Sequence, residues 1–199
     1  MKPGRETSGS PERLCRAHIG LGSNLDPETN ILRAVPEIAS RMKILAASRF
    51  YRTPPFHPSG HSQPPFINGV LQVEVSLDPW ALKFQVLREI ERKTGRIRSG
   101  DPYAPRTLDL DLLVVEGLRI ESERLTLPDP AIFVHAFWAV PLAELLPDLP
   151  VPGAARTLGE TALQMQSGDL VYVEGLTRDV RLRSGLPTDS AAEVTRGFP

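Results

Sequence analysis

The stretch that most constrains this chain runs from Pro105 to Val115, Pro-Arg-Thr-Leu-Asp-Leu-Asp-Leu-Leu-Val-Val. Side chains alternate across a β-strand, so Thr107, Asp109, Asp111 and Leu113 share one face, and Leu108, Leu110, Leu112 and Val114 the other. Two strand rises of ~3.3 Å set the Cα atoms of Asp109 and Asp111 roughly 6.6 Å apart, near enough for both carboxylates to reach one cluster of hard cations. The plain alternative is a solvated face of an edge strand. Against it, Asp is depleted in strands, and like charges on neighbouring same-face positions repel unless something positive compensates them. Arg96, Arg98 and Arg106 just upstream tip the balance towards Mg²⁺ carrying a polyphosphate.

The rest of the chain supplies the frame. Ala17 to Leu21 reads as a short apolar strand that ends at Gly22-Ser23-Asn24, a segment that could be either a phosphate nest or a plain turn. Asp26-Pro27-Glu28 then reads as the capped start of a helix over 27–42, with Ile31, Val35, Ile38 and Met42 as its apolar stripe. A second strand is expected over Ile44 to Tyr51. The proline-rich loop that follows holds His57 and His61, which Pro58 keeps from aligning on a helix, so they read as solvated loop residues.

Phe66 to Ser76 is the clearest alternating strand. Ile67, Gly69, Leu71, Val73 and Val75 face the core, while Phe66 and Asn68 face the other way and offer a stacking ring beside a fixed amide. Asp78-Pro79 caps a second helix, with Leu82, Val86, Leu87 and Ile90 buried and Gly95 ending it. Two strand-helix-strand units of this kind predict an α+β fold: a ferredoxin-like antiparallel sheet with helices packed on one face and an open substrate face. Downstream, Gly117 to Glu123 reads as a short hairpin, 125–130 as an extended loop and Phe133 to Leu146 as helical.

At 199 residues the chain reads as residues 1–15 in a disordered extension, 16–175 as one folded domain and 176–199 as a loosely ordered tail. A net charge of −1 offers nucleic acid or an anionic membrane no global attraction, and no run of residues is apolar enough to span a bilayer. The N-terminus lacks a signal-peptide pattern, so a cytoplasmic protein is expected. Cys15, the single cysteine, has no thiol partner for an internal disulfide or a zinc cluster.

Over roughly 17–150 the sequence resembles the hydroxymethyl-dihydropterin pyrophosphokinases of folate biosynthesis. The resemblance rests on Gly95-Arg96-Ile97-Arg98 and Pro105-Arg106-Thr107-Leu108-Asp109-Leu110-Asp111, with Gly22-Ser23-Asn24, Phe50-Tyr51-Arg52-Thr53-Pro54-Pro55 and Phe66-Ile67-Asn68 in order. It implies transfer of diphosphate from ATP to 6-hydroxymethyl-7,8-dihydropterin. A monomer that acts without nucleic acid or membrane is expected. The resemblance also implies that Asp109 and Asp111 bind two Mg²⁺ ions bridging the ATP phosphates. Thr53, Pro54, Phe56, Phe66, Asn68, Phe137 and Tyr103 would line the pterin pocket, Tyr103 standing where the family generally has a tryptophan lid. Glu91, Arg98, Arg106, Leu112, Arg124 and Thr126 would fall near ATP. Arg96, Arg98 and Arg106 would serve catalysis, with Arg96 supporting a mobile loop over 98–105.

Two residues depart from the family pattern. Asp129 follows Pro128 where a histidine is usual, and His135 replaces an arginine, so both remove positive charge from the triphosphate. The rival readings are a non-catalytic relative that binds pterin or nucleotide, and a ferredoxin-like module that stacks nucleic-acid bases on its open face. The acids at the centre of that face argue against the second.

Overall fold

The computed structural model describes residues 14–54, 63–76, 78–98, 104–165 and 168–188. Phe56, His57, His61, Tyr103 and most of the 98–105 loop lie outside these residues. A six-stranded antiparallel sheet is ordered β5-β1-β4-β3-β8, with β2 also pairing β4. Strand β1 (Cys15–Ser23) is followed by α1 (Pro27–Ala39), β2 (Lys43–Ala47), β3 (Tyr51–Thr53) and β4 (Phe66–Val75). A composite helix comes next: α2 (Pro79–Ala81), a π-helical turn (Leu82–Leu87) and α3 (Arg88–Lys93). After β5 (Asp109–Val115), β6 (Ile120–Glu121) pairs with β7 (Thr126–Leu127), and a 3₁₀ turn (Pro130–Phe133) leads into α4 (Ala136–Ala143). The chain closes with α5 (Leu158–Gln164), β8 (Val171–Tyr172) and α6 (Glu174–Arg183).

One apolar face follows the expected alternation. Ala17, Ile19 and Leu21 of β1, Ile67, Leu71 and Val73 of β4, and Leu110 and Leu112 of β5 are buried with Ile31, Val35 and Ile38 of α1 and with Leu87 and Ile90. The other face is only partly open. Val70, Leu113 and Val114 pack there against Trp138, Ala139 and Leu142 of α4 and against Leu158 and Ala162 of α5. At the sheet end that carries Gly22, Asn68 and Asp109, this second cluster covers the face only at its edge, where the Trp138 ring reaches the cleft.

Several local features differ from the alternation rules. Ile19 pairs with Leu112 while His18 pairs with Val114, so Leu113 is an extra residue in β5. This β-bulge breaks the period of two, and Leu113 and Val114 both join the second cluster instead of facing opposite ways. The single strand expected over 44–51 is two pieces along β4. Between them Ser48 Oγ accepts from Val70 N at 2.8 Å, and Phe50 fills the space where a Gly69 side chain would stand. Asp26 is left-handed (φ 42°) and makes no side-chain cap, whereas Asp78 accepts from Ala81 N at 3.1 Å. Residues 174–183 form α6, which buries Leu176 and Val180 in the first core; the expected loose tail from 176 therefore begins inside a packed helix. The polar character of that stretch masks a two-residue apolar stripe at i, i+4.

Candidate active site

Register builds the site. Gly22 pairs with Asn68 on one side and Asp109 on the other, and Gly20 pairs with Val70 and Asp111. The two glycines form a trough in the middle of the sheet, with the Asn68 amide on one bank and two carboxylates on the other. A Cβ on Gly22 would lie 2.9 Å from Asn68 Oδ1, so only glycine leaves this floor open. The cleft above it has a volume of about 220 Å³ and is lined by Gly22, Thr53, Pro54, Phe66, Asn68, Arg106, Asp109, Asp111, Phe137 and Trp138.

One end of the cleft suits a flat heterocycle. Asn68, buried, donates from Nδ2 to Thr53 Oγ1 at 3.0 Å, which fixes the amide and leaves Oδ1 towards the trough. Phe66 and Phe137 provide the aromatic walls; the Arg106 guanidinium stands 5.8 Å from the Phe66 ring, and Phe137 stacks on His135 at 5.0 Å. Stacking walls beside a fixed donor and acceptor form a site that reads both the shape and the polar edge of a ring.

The other end is charged. Arg96 Nη1 donates to Asp109 Oδ1 at 2.5 Å and to the Leu108 carbonyl at 2.8 Å, and Arg106 Nη1 donates to Asp109 Oδ2 at 2.5 Å. Among the described residues, no guanidinium pairs with Asp111 in this way. Burial, then the Asp109 charge, push its carboxyl up to about 7; Lys83 opposes this from the π-helical turn, and Asp129 and Glu91 reinforce it. An acid so raised, beside a second carboxylate, is a hard oxygen donor set in want of positive charge, which a divalent cation fits. Among the described residues, no group of three or more His, Cys, Asp or Glu side chains gathers to hold a metal. A cation at this pair would draw its remaining ligands from water and phosphate, as Mg²⁺ does.

Glu91 holds the charged end together from behind. Its carboxylate is almost fully buried, accepts the Leu110 N–H between the two aspartates at 2.9 Å, and pairs with Arg98 at 2.5 Å and Arg96 at 3.5 Å. Burial raises its pKa, and the Leu110 N–H and Arg96 offset part of that rise. Gly22-Ser23-Asn24 does comparable work. Asn24 Oδ1 accepts from Arg106 N at 2.7 Å and Ser23 Oγ donates to the Thr107 carbonyl at 2.6 Å, so this segment anchors the arginine-bearing strand entry.

Of the expected site residues, the structure brings Thr53, Pro54, Phe66, Asn68, Phe137, Arg106, Asp109 and Asp111 to one cleft, with Arg96 on its charged wall. Glu91 and Arg98 stand behind that wall, bonded to each other. Leu112 differs most: its side chain lies in the core, because it shares the apolar face of β5. Since Leu110 N points to the free edge of β5, the main-chain groups of Leu112 point there too, and only these can meet a ligand. Arg124 and Thr126 flank that edge from the β6–β7 hairpin, outside the cleft; Arg124 lies 5.1 Å from the Phe84 ring. Asp129 is engaged by its own turn, where its Oδ1 accepts from Ala131 N at 2.9 Å. Sequence reasoning missed the trough glycines, the anchoring role of Asn24, Lys83 and the exposure of Trp138 to the cleft. Glycines at alternate positions of a central strand were the available signal.

The family model described as 7,8-dihydro-6-hydroxymethylpterin-pyrophosphokinase (HPPK) matches residues 18–147. A 2-amino-4-hydroxy-6-hydroxymethyldihydropteridine pyrophosphokinase from Synechocystis sp. is 39% identical over 151 residues, covering 74% of this chain and 75% of that one. A protein of the same name from Methylorubrum extorquens is 35% identical over 164 residues, covering 81% and 100%. Among solved structures, Plasmodium falciparum HPPK-DHPS with pteroate superposes with a TM-score of 0.61 at 11% identity, over 81% of this chain and 48% of that one. The chain thus spans about half of that longer protein, and at this identity the likeness speaks for the fold alone.

Proposed function

The chain belongs to the 7,8-dihydro-6-hydroxymethylpterin-pyrophosphokinase family, and from that premise we propose that the glycine-floored cleft is its active site. The enzyme transfers diphosphate from ATP to the hydroxymethyl group of 6-hydroxymethyl-7,8-dihydropterin and releases AMP, in folate synthesis. The observation that carries the site assignment is the row Asn68–Gly22–Asp109, which sets a ring-reading amide and a cation-binding carboxylate on either side of one bare strand position.

In this reading Phe66 and Phe137 sandwich the pterin, Asn68 bonds its polar edge, and Thr53 and Pro54 close the rim; Phe56 and Tyr103 are assigned to the same pocket by resemblance. Asp109 and Asp111 would hold two Mg²⁺ ions, which would supply positive charge to neutralise the phosphates and polarise the phosphoryl oxygens. Arg96 and Arg106 turn to the phosphates, and Arg98, Arg124, Thr126 and the main chain of Leu112 accommodate the rest of ATP. The hydroxymethyl oxygen bonds to the β-phosphorus, in line, as the bond from that phosphorus to the α,β-bridging oxygen breaks and the electron pair leaves with AMP. Asp111, as a metal ligand, would favour loss of the hydroxyl proton to water through the bound cation and would not take it up itself. Such transfers rest on positioning and charge neutralisation, which is what these side chains supply. The same reading has a cytoplasmic monomer acting on two small molecules; the net charge of −1 supports its acting without nucleic acid. No helix among the described residues is long and apolar enough to cross a membrane.

The test is AMP release from ATP with Mg²⁺ and hydroxymethyl-dihydropterin. We expect Asp109→Ala to lose about a thousandfold in rate, several kcal/mol of transition-state stabilisation. A native protein that releases no more AMP than Asp109→Ala overturns the assignment.

A further inference from the structure

Among the described residues that line the cleft, Trp138 is the one to which nothing above gives a role. Its neighbours on α4 turn into the second core, and it is itself only 6% exposed, yet it lines the cleft. The trough glycines accommodate its ring. A Cβ on Gly20 would fall 2.7 Å from the indole benzo carbons, so β1 carries no side chain there because Trp138 lies across it. One step along the strand, an added Cβ on Gly22 would meet Asn68 Oδ1 at 2.9 Å, Trp138 at 3.8 Å and Asp109 Cβ at 3.9 Å. The recognition amide, the indole and the metal-side carboxylate therefore meet around a single bare Cα. Phe137 is fixed against the same ring, edge on, at 5.5 Å.

Resting on the pterin assignment made above, we propose that Trp138 is a specificity-determining residue: its indole forms the back wall of the pterin subsite and sets the largest ring that fits. The described residues bound about 220 Å³ of the cleft, below the roughly 300–1,000 Å³ of ordinary ligand pockets, so the position of this wall bears directly on which ring fits against it. The wall is stiff. The indole lies against the sheet floor at Gly20, beside the Leu113 side chain, and is held as a nearly buried member of the second core. A wall that cannot retreat turns one extra methyl group into a clash, whereas a smaller side chain at the same place leaves room for it.

The experiment compares kcat/KM for 6-hydroxymethyl-7,8-dihydropterin with that for ring-methylated analogues, using the full chain with Mg²⁺ and ATP. The native enzyme should discriminate against an added ring methyl by about tenfold or more, the range of methylene-sized discrimination in apolar pockets. Trp138→Leu should bring the ratio to within about threefold, mostly through KM for the pterin, with KM for ATP unchanged. Trp138→Phe should lie between the two. Gly20→Ala should act in the opposite sense, because its Cβ displaces the indole away from the sheet and into the cleft, so KM for the unmodified pterin rises. Thermal melts identify a variant that has not folded, and the remaining variants then carry the test. A native enzyme that turns over while Trp138→Leu and Trp138→Phe leave the methyl ratio unchanged overturns this inference alone. A native enzyme without turnover overturns the function proposed above.

Discussion

Arg106 and Asp109, three residues apart at the entry to β5, are locked together: the guanidinium Nη1 lies 2.5 Å from Oδ2 while Arg96 takes the other carboxylate oxygen at the same distance. Asp109 is therefore fully occupied by cations in the protein alone. Because a divalent ion and a guanidinium compete for the same oxygens, phosphates that draw the arginines away free the carboxylate for metal. Arg106→Ala should bind Mn²⁺ about tenfold more tightly than the native protein without nucleotide, about 1.4 kcal/mol. Arg98→Ala removes an equal charge but leaves the lock intact, and should change Mn²⁺ affinity little. Titration followed by the Mn²⁺ electron paramagnetic resonance signal measures both, and equal effects of the two variants would show that only overall charge matters.

Gly22→Ala places a methyl group 2.9 Å from Asn68 Oδ1. The amide is held from behind by Thr53 and cannot retreat without losing that bond. We expect KM for the pterin to rise at least tenfold, while the affinity for a nonhydrolysable ATP analogue, measured by calorimetry, stays within about twofold. Equal losses for both ligands would mean that the trough shapes the whole cleft instead of the amide end.

Glu91 accepts the Leu110 N–H and faces Arg96 and Arg98 from a buried position. Glu91→Ala leaves the buried Leu110 N–H without its acceptor and removes the carboxylate that pairs with Arg98 and faces Arg96, and should destabilise the fold by about 3 kcal/mol or more in urea unfolding. Glu91→Gln retains an acceptor for Leu110 and should lose less stability. Its Arg98 is released, so its catalytic loss should exceed its stability loss. Matching losses in the two variants would reduce Glu91 to a packing residue.

Two groups with shifted pKa values, buried His18 and half-buried Asp111, push stability in opposite directions with pH. His18 is fully buried, its Nδ1 has no hydrogen-bond partner, and burial followed by the Arg16 charge lowers its pKa to about 4. The unfolded chain binds that proton near pH 6.5 and the folded chain does not, so this group removes stability as pH falls from about 6.5 to 4. Asp111, held near 7 in the fold, takes up its proton before the unfolded chain does and adds stability as pH falls from about 7 to 4. Each tenfold change in proton affinity on folding is worth ~1.4 kcal/mol, so the two contributions are of similar size and largely cancel. His18→Gln should therefore become more stable relative to native between pH 7 and 5, and Asp111→Asn less stable, by urea midpoints. Parallel pH profiles in all three proteins would refute the opposition.

The sequence was most legible where the physics is local. Alternation in 66–76 and 107–112, the apolar stripe of α1 and the Asp78-Pro79 helix start all appear in the fold, because strand and helix periods act on adjacent residues. It was least legible where one residue breaks a period, as Leu113 does, and where a polar segment hides two packing positions, as in α6. Leu112 shows the limit of assigning a site residue from a motif: its place in the motif says that it stands beside ATP, while its face in the strand buries the side chain and leaves only main-chain groups.

The amino-acid string by itself determined that Asp109 and Asp111 share a face, that Asn68 stands beside a Phe, and that arginines crowd the approach to the acids. Which of these meet was decided by strand order and register, since only the pairing of Gly22 with both Asn68 and Asp109 brings positions 41 residues apart onto one floor. The physical reason is that hydrogen-bonded neighbours in a sheet lie about 5 Å apart whatever their distance along the chain. Side-chain alternation can be counted from the letters, but the shared bare Cα at Gly22, and the indole laid across Gly20, exist only once three strands and a helix have closed around them.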